Sequence, residues 1–234
     1  MGSPMAPAVH LRDALALAGR FPALAGVDVD VEAGEVVVVR GANGAGKTSL
    51  LRLCAGLLAL TSGEGRVVGH DLRTRRREVR RHVGLLGHSN HLYDDLTVEE
   101  NIRFGVASGG GRLDGVAAAM DHFGLRGRLA GVPAGRCSTG QRRRCALAVL
   151  LARSPMLWLL DEPHSGLDPE GRHLLGEMIR RGSQGGATVL VATHEGDPFA
   201  SVDVAASGPN PREIVMGGGL VVSDRPASMA AAGS

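Results

Sequence analysis

A chain of 234 residues is long enough to bury one full core, with or without a subdomain. Its 44% hydrophobic and 21% charged residues are ordinary for a globular protein, and its longest apolar runs, such as "CALAVLLA", fall far short of the roughly 20 residues that span a bilayer. A formal net charge of +2 removes any whole-chain electrostatic case for nucleic acid, and no nucleic-acid partner is expected. Cys54, Cys137 and Cys145 have no CxxC spacing and read as free thiols of a reducing compartment. The opening "MGSPMAPAVHLRD" lacks a basic segment followed by an apolar one, so no signal peptide is expected.

"VDVDVEAGEVVVVRG" predicts a strand, a turn at Glu32 to Gly34 and a second strand. The first alternates polar and apolar, as a half-exposed strand does; the second, Val36 to Val39, is apolar throughout, as a strand buried on both faces is. A helix follows from about Lys47, and "RVVG" and "HVGLLG" read as further strands. From Thr97 to about Ala152 the pattern is helical, opening on a Thr97–Glu100 capping box and broken by glycines at 108–111 and 131–135. "MLWLL" is a buried strand, a helix lies near 169–182, "ATVLVAT" is another strand, and "REIVMGGGLVVSD" reads as a hairpin. Strands alternating with helices argue for an α/β fold with a mainly parallel sheet. Hairpins near both ends suggest added antiparallel strands. The expected organisation is one domain over 8–226, a helical subdomain at about 90–153, and flexible ends at 1–7 and 227–234.

Lys47 is the only lysine in the chain; every other permanently charged cation is arginine. It lies in "GANGAGKT", which matches G-x-x-x-x-G-K-[ST] between a buried strand and a helix. Gly41, Ala42, Asn43, Gly44, Ala45, Gly46, Lys47, Thr48 and the following Ser49 would curl around phosphate, with glycines letting successive N–H groups converge and the helix start adding a favourable dipole. Lys47 is a compact charge on a flexible stem suited to terminal phosphates, and Thr48 would offer a hydroxyl to Mg²⁺.

The "MLWLL" strand ends in Asp161-Glu162. A carboxylate at a strand tip beside a phosphate loop is where a Mg²⁺ partner belongs, so Asp161 would hold the metal through water. Glu162, one step on, would orient and deprotonate an attacking water. In "CSTGQRRRCALAVLLA", Ser138 and Gln141 have capping-box spacing, which puts a second anion-facing helix start about 90 residues past the first.

Together these segments resemble the nucleotide-binding subunit of ABC transporters over roughly residues 9–225. "GANGAGKT" is similar to Walker A, "LWLLDEP" to Walker B, "CSTGQ" to the signature, "SGLD" (Ser165 to Asp168) to the D-loop, and "VATHE" carries a switch histidine at His194. The resemblance implies a P-loop NTPase fold with an antiparallel β subdomain and an α-helical signature subdomain. It also implies ATP with Mg²⁺ held in a head-to-tail homodimer, or a heterodimer with a second cassette. Ser138, Gly140 and Gln141 of one copy would close on nucleotide bound by the other. His194 would contact the γ-phosphate, and Phe21 would stack on adenine or else fill core. His88 stands where the family usually has glutamine, as either a nucleotide-sensing group or a plain loop histidine. Cys137 and Thr139 depart from the signature but leave its serine, glycine and glutamine in place. Permease membrane subunits and a peripheral position on the cytoplasmic face of the membrane follow from the same likeness. Most arginine runs such as "RTRRREVRR" are solvated faces; anionic lipid headgroups are the other reading.

Three segments, "LLGH…LTVEENIRF", "KTSLLRLCAGLL" and "GGATVLVATHE", most resemble haem exporter ATPases of cytochrome c maturation. Another small ABC-2-type exporter of drug, lipid or polysaccharide, a soluble non-transport ABC ATPase and a binding-only cassette are the alternatives. With no CxxCH, the chain itself is not expected to bind haem.

Overall fold

A computed structural model describes residues 6–194 and 212–226. Two sheets organise them. The first is antiparallel, in the order β2 (Phe21–Val31), β1 (Val9–Ala18), β4 (Ser62–Val67), β5 (His70–Asp71). The second runs β10 (Leu220–Pro226), β9 (Arg212–Gly217), β3 (Val36–Arg40), β8 (Thr188–Ala192), β7 (Leu157–Asp161), β6 (Val83–Leu86). All its pairings are parallel except β9 with β10.

The period-two geometry of strands divides the interior into two cores. On one face of the second sheet Val36, Val38, Trp158, Leu160, Val189 and Val191 pack against helices α3 (Val98–Ser108), α4 (Val116–His122), α5 (Thr139–Arg153) and α6 (Pro169–Gln184). On the other, Val37, Val39, Leu157, Leu159, Leu190 and Ala192 meet α1 (Lys47–Cys54) and the antiparallel sheet, with Val79 of α2 (Arg76–His82). Continuously apolar β3, β7 and β8 are therefore buried on both sides, as their sequence predicts.

Both predicted capping boxes form. Thr97 accepts the Glu100 amide and Ser138 that of Gln141, and each partner side chain reaches back to the cap amide. The expected C-terminal hairpin forms as β9 and β10. The N-terminal one needs correction. The strands either side of Glu32 to Gly34 do not pair: β2 joins β1 in the antiparallel sheet, while β3 enters the parallel one. The reason is burial, since β2 alternates and needs only one covered face, whereas β3 needs two. The helical stretch from 97 is three helices separated by 3₁₀ turns at Leu113–Gly115, Gly127–Gly131 and Ala134–Arg136. The frayed ends expected at 1–7 and 227–234 lie outside the described residues apart from 6 and 7.

Candidate nucleotide-binding site

Strands β3, β8 and β7 are parallel neighbours, so their C-terminal ends deliver three loops to one edge, where open α/β sheets bind ligands. From β3 comes the loop at 41–46, from β7 Glu162, and from β8 Thr193 and His194. The backbone locks these ends together: the Thr193 amide donates to Val39 O at 3.0 Å, and the Glu162 amide to Ala192 O at 2.9 Å.

The loop's shape depends on glycine at two points. Gly41 has φ 145°, and a Cβ there would sit 2.4 Å from the Met216 carbonyl oxygen of β9. Gly46, the N-cap of α1, has φ 103°, and a Cβ there would lie 3.0 Å from Ala23 O and 3.2 Å from the Gly219 Cα. The first helical bond is from the Leu50 amide to Gly46 O at 2.8 Å, so the amides of Lys47, Thr48 and Ser49 have no carbonyl within the helix. Lys47 is 6% exposed. Its Nζ donates to the carbonyls of Gly41 at 2.6 Å and Ala42 at 3.0 Å, and among the described residues it forms no ion pair with a carboxylate. A buried ammonium held only by neutral carbonyls, beside free amides, is a site for an anion.

The cavity over this loop measures about 390 Å³ and is lined by Asn43, Gly44, Ala45, Gly46, Lys47, Thr48, Ser49 and Glu162. Sequence reading missed its remaining walls, Pro22 and Ala23 of β2 and Gly218 and Gly219 of the β9–β10 turn. The turn is pinned to the loop, the Gly219 amide donating to Ala45 O at 3.1 Å. "GGG" at 217–219 was legible as a turn, but nothing local says what it abuts.

Asp161, 7% exposed, accepts the Thr48 hydroxyl at 2.8 Å, so the two predicted metal residues meet across 113 positions of sequence. The pair offers only hard oxygen, which suits Mg²⁺, an ion that keeps several waters and completes its octahedron with phosphate. Among the described residues no group of three or more His, Cys, Asp and Glu forms a protein-only cage. The residues present fit Mg²⁺ of that partly hydrated kind. Glu162 and His194 also meet, with Oε1 2.6 Å from Nε2. Glu162 holds φ 46°, the left-handed region a non-glycine residue enters at a cost, and such strain concentrates at functional positions.

The residue that organises this edge is one the sequence did not single out. Arg143 of α5 is 3% exposed and its side chain lies under the tip of β7. Nη2 donates to the carbonyls of Asp161 at 3.1 Å and Glu162 at 2.8 Å, and Nε to Pro163 O at 3.1 Å. Nη1 donates to Gly87 O at 2.7 Å and Asn90 Oδ1 at 3.1 Å, both on the loop after β6. Burial pulls its pKa below the ordinary arginine value, while the charges of Asp161 and Glu162 oppose that.

Other predicted site residues stand apart. Ser138 and Thr139 are exposed, and none of Ser138, Gly140 or Gln141 lines the cavity. His88 is exposed on the loop after β6 and is not among the lining residues. Phe21 is 78% exposed, which removes the core alternative; it begins β2 immediately before the cavity wall at Pro22 and Ala23.

Known proteins resemble this chain in sequence and in fold. The family model described as ABC transporter matches residues 24–165. A cytochrome c biogenesis ATP-binding export protein CcmA from Rhodopseudomonas palustris (strain BisB18) is 44% identical over 170 residues, covering 73% of this chain and 83% of the relative. The protein of that name from Nitrosospira multiformis is 38% identical over 191 residues, covering 81% and 92%. A dimeric ATP-binding cassette solved in a post-hydrolysis state bound to ADP and Pi has a TM-score of 0.80 at 24% identity, covering 94% of this chain and 98% of the other, a likeness of fold. A structure of an ATP-binding subunit of an ABC transporter has a TM-score of 0.82 at 23% identity, covering 93% and 89%. With the family model covering more than half of its length and relatives matched over most of theirs, the chain belongs to the ABC transporter family, as an ATP-binding cassette ATPase.

Proposed function

We propose that two copies of this chain sandwich ATP and Mg²⁺ and hydrolyse the ATP to drive export through separate membrane permeases, in cytochrome c biogenesis, with haem as cargo. The observation that carries this reading is the separation of the two anion-facing helix starts. The α1 start opens into the cavity, while the α5 start at Ser138 is exposed and takes no part in its walls. A second copy facing head to tail supplies the missing lid. In that arrangement the loop at 41–48 and Lys47 bind the phosphates, and Thr48 and Asp161 would hold Mg²⁺, which when bound would supply positive charge against the phosphates. Glu162 takes the proton of the attacking water, with His194 fixing its orientation; Phe21 stacks on adenine and His88 senses nucleotide from the loop after β6. The dimeric fold relatives support the geometry, and the names of the sequence relatives support the process.

Membrane attachment follows from the same reading. No helix among the described residues is long and apolar enough to cross a membrane. A groove of about 260 Å³ runs beside the loop after β6, with Tyr93 and Phe104 packed edge to face at 5.1 Å and both about half exposed. A cytoplasmic segment of the permease docks there. On and just before α2, Arg73, Arg75, Arg77, Arg80 and Arg81 are exposed and form no ion pair among the described residues, which suits anionic headgroups.

Two results check this. Cys54 and Cys145 are buried and their pKa values are pushed up to about 12 by burial, whereas Cys137 is half-buried and adjoins Ser138. Thiol reagents should label Cys137 alone in the native protein, and ATP with Mg²⁺ should protect it in a Glu162→Gln background; equal labelling with and without ATP removes the signature from the interface. In cells, deleting the chain should abolish haem-stained c-type cytochromes, and Lys47→Ala should not restore them. Normal c-type cytochromes in the deletion strain contradict the cargo.

A further inference from the structure

Arg143 meets the full hydrogen-bonding demand of its burial with acceptors drawn from two other segments of the chain. A guanidinium has five N–H donors, and here each has its own acceptor: the carbonyls of Asp161, Glu162, Pro163 and Gly87 and the side chain of Asn90. Three segments far apart in sequence are thereby joined through one rigid planar group. They are the α5 helix that begins at Ser138, the β7 tip that carries Glu162, and the loop after β6 that carries His88. Ser138 and Arg143 are five residues apart on α5, so about 7.5 Å of helix separates the exposed cap from the buried clamp. Glu162 is held in a left-handed conformation by its surroundings, and its carbonyl, which Arg143 grips, belongs to the same residue as the carboxylate.

We infer that Arg143 is a positioning residue that links the two nucleotide sites of the dimer. The inference rests on the two-copy reading above. There, Ser138 touches the nucleotide bound by the partner, while Glu162 acts on the nucleotide bound by its own chain. When Ser138 closes on phosphate, α5 moves as a rigid body and Arg143 carries that shift to the Glu162 carbonyl. Each site is thus brought into register by occupation of the other. Asn90 also lines the groove beside Tyr93, so the same guanidinium extends the link toward that face. Arg144 adds a second tie, Nη2 lying 2.6 Å from Asp168 Oδ1 and 3.0 Å from Glu170 Oε2 at the start of α6.

The test is steady-state ATPase activity against ATP concentration for the full chain and for Arg143→Gln, Arg143→Lys and Asn90→Ala, with binding of a fluorescent ATP analogue measured in parallel. The full chain should show a Hill coefficient approaching 2, the number of sites in the dimer. Arg143→Gln and Arg143→Lys should fall toward 1 and lose about 10²-fold in kcat, as misplacement of a catalytic group by about 1 Å does, with unchanged analogue affinity. Asn90→Ala, which removes one of the five acceptors, should lower both less. A role in packing alone lowers thermal stability and leaves the Hill coefficient of the folded fraction where it was; that result overturns the inference. Should Arg143→Gln fail to fold, an unaltered Hill coefficient in both Arg143→Lys and Asn90→Ala overturns it equally. If the unmutated chain neither dimerises on ATP nor shows cooperativity, the two-copy reading fails and takes this inference with it.

Discussion

Lys47→Ala is expected to abolish useful nucleotide binding. Its ammonium is buried, is oriented by the Gly41 and Ala42 carbonyls, and lies in the cavity where the α1 amides are free. Removing one partner of a buried charge pair costs about 2–5 kcal/mol, roughly 30-fold to several-thousand-fold in Kd. Lys47→Arg should also fail, because the planar guanidinium is bulkier and spreads its charge, and so does not present the compact ammonium that this tight loop aims at phosphate. Folding should survive in both, since the interaction lost in the empty protein is with neutral carbonyls. Titration with a fluorescent ATP analogue checks this; a Kd near that of the unmutated chain contradicts the phosphate-loop assignment.

Glu162→Gln should retain ATP and lose roughly 10²–10⁴-fold in hydrolysis, the scale of a missing general base. Glutamine preserves length and can still hydrogen-bond His194, so the 2.6 Å contact and the bond from Arg143 to the residue's carbonyl are kept while the proton acceptor is gone. His194→Ala should lower turnover less steeply, because it removes the group that orients the carboxylate and leaves the carboxylate in place. Single-turnover phosphate release separates the two. A Glu162→Gln protein hydrolysing within tenfold of normal rate requires another base.

Much of this was legible because the decisive signals are local. Val36–Val39 and Leu157–Asp161 announce two-sided burial by composition alone, and the glycines of 41–46 and the two capping boxes are short-range chemistry. What stayed hidden depends on contacts distant in sequence. Strand β1 went unread because its alternation breaks at Asp13, which has φ 46° in a stretch of shifted register with both neighbours. The run Arg142–Arg144 looks uniform in sequence, yet successive helical residues point about 100° apart. Arg142 reaches Asp94 at 2.6 Å, Arg144 reaches Asp168, and Arg143 alone turns inward. Which of the three is buried depends on the β7 tip and the loop after β6, 18 and 56 residues away. The cavity walls at Pro22, Ala23, Gly218 and Gly219 escaped notice for the same reason.

The most direct test of the account is the mass of the Glu162→Gln protein in solution, measured by light scattering with ATP and Mg²⁺ and again without. Nucleotide should double the 24.2 kDa of one chain, and adding Ser138→Arg should return it to a single chain while ATP remains bound. A protein that holds ATP and still scatters as one chain contradicts the claim that two copies complete each site.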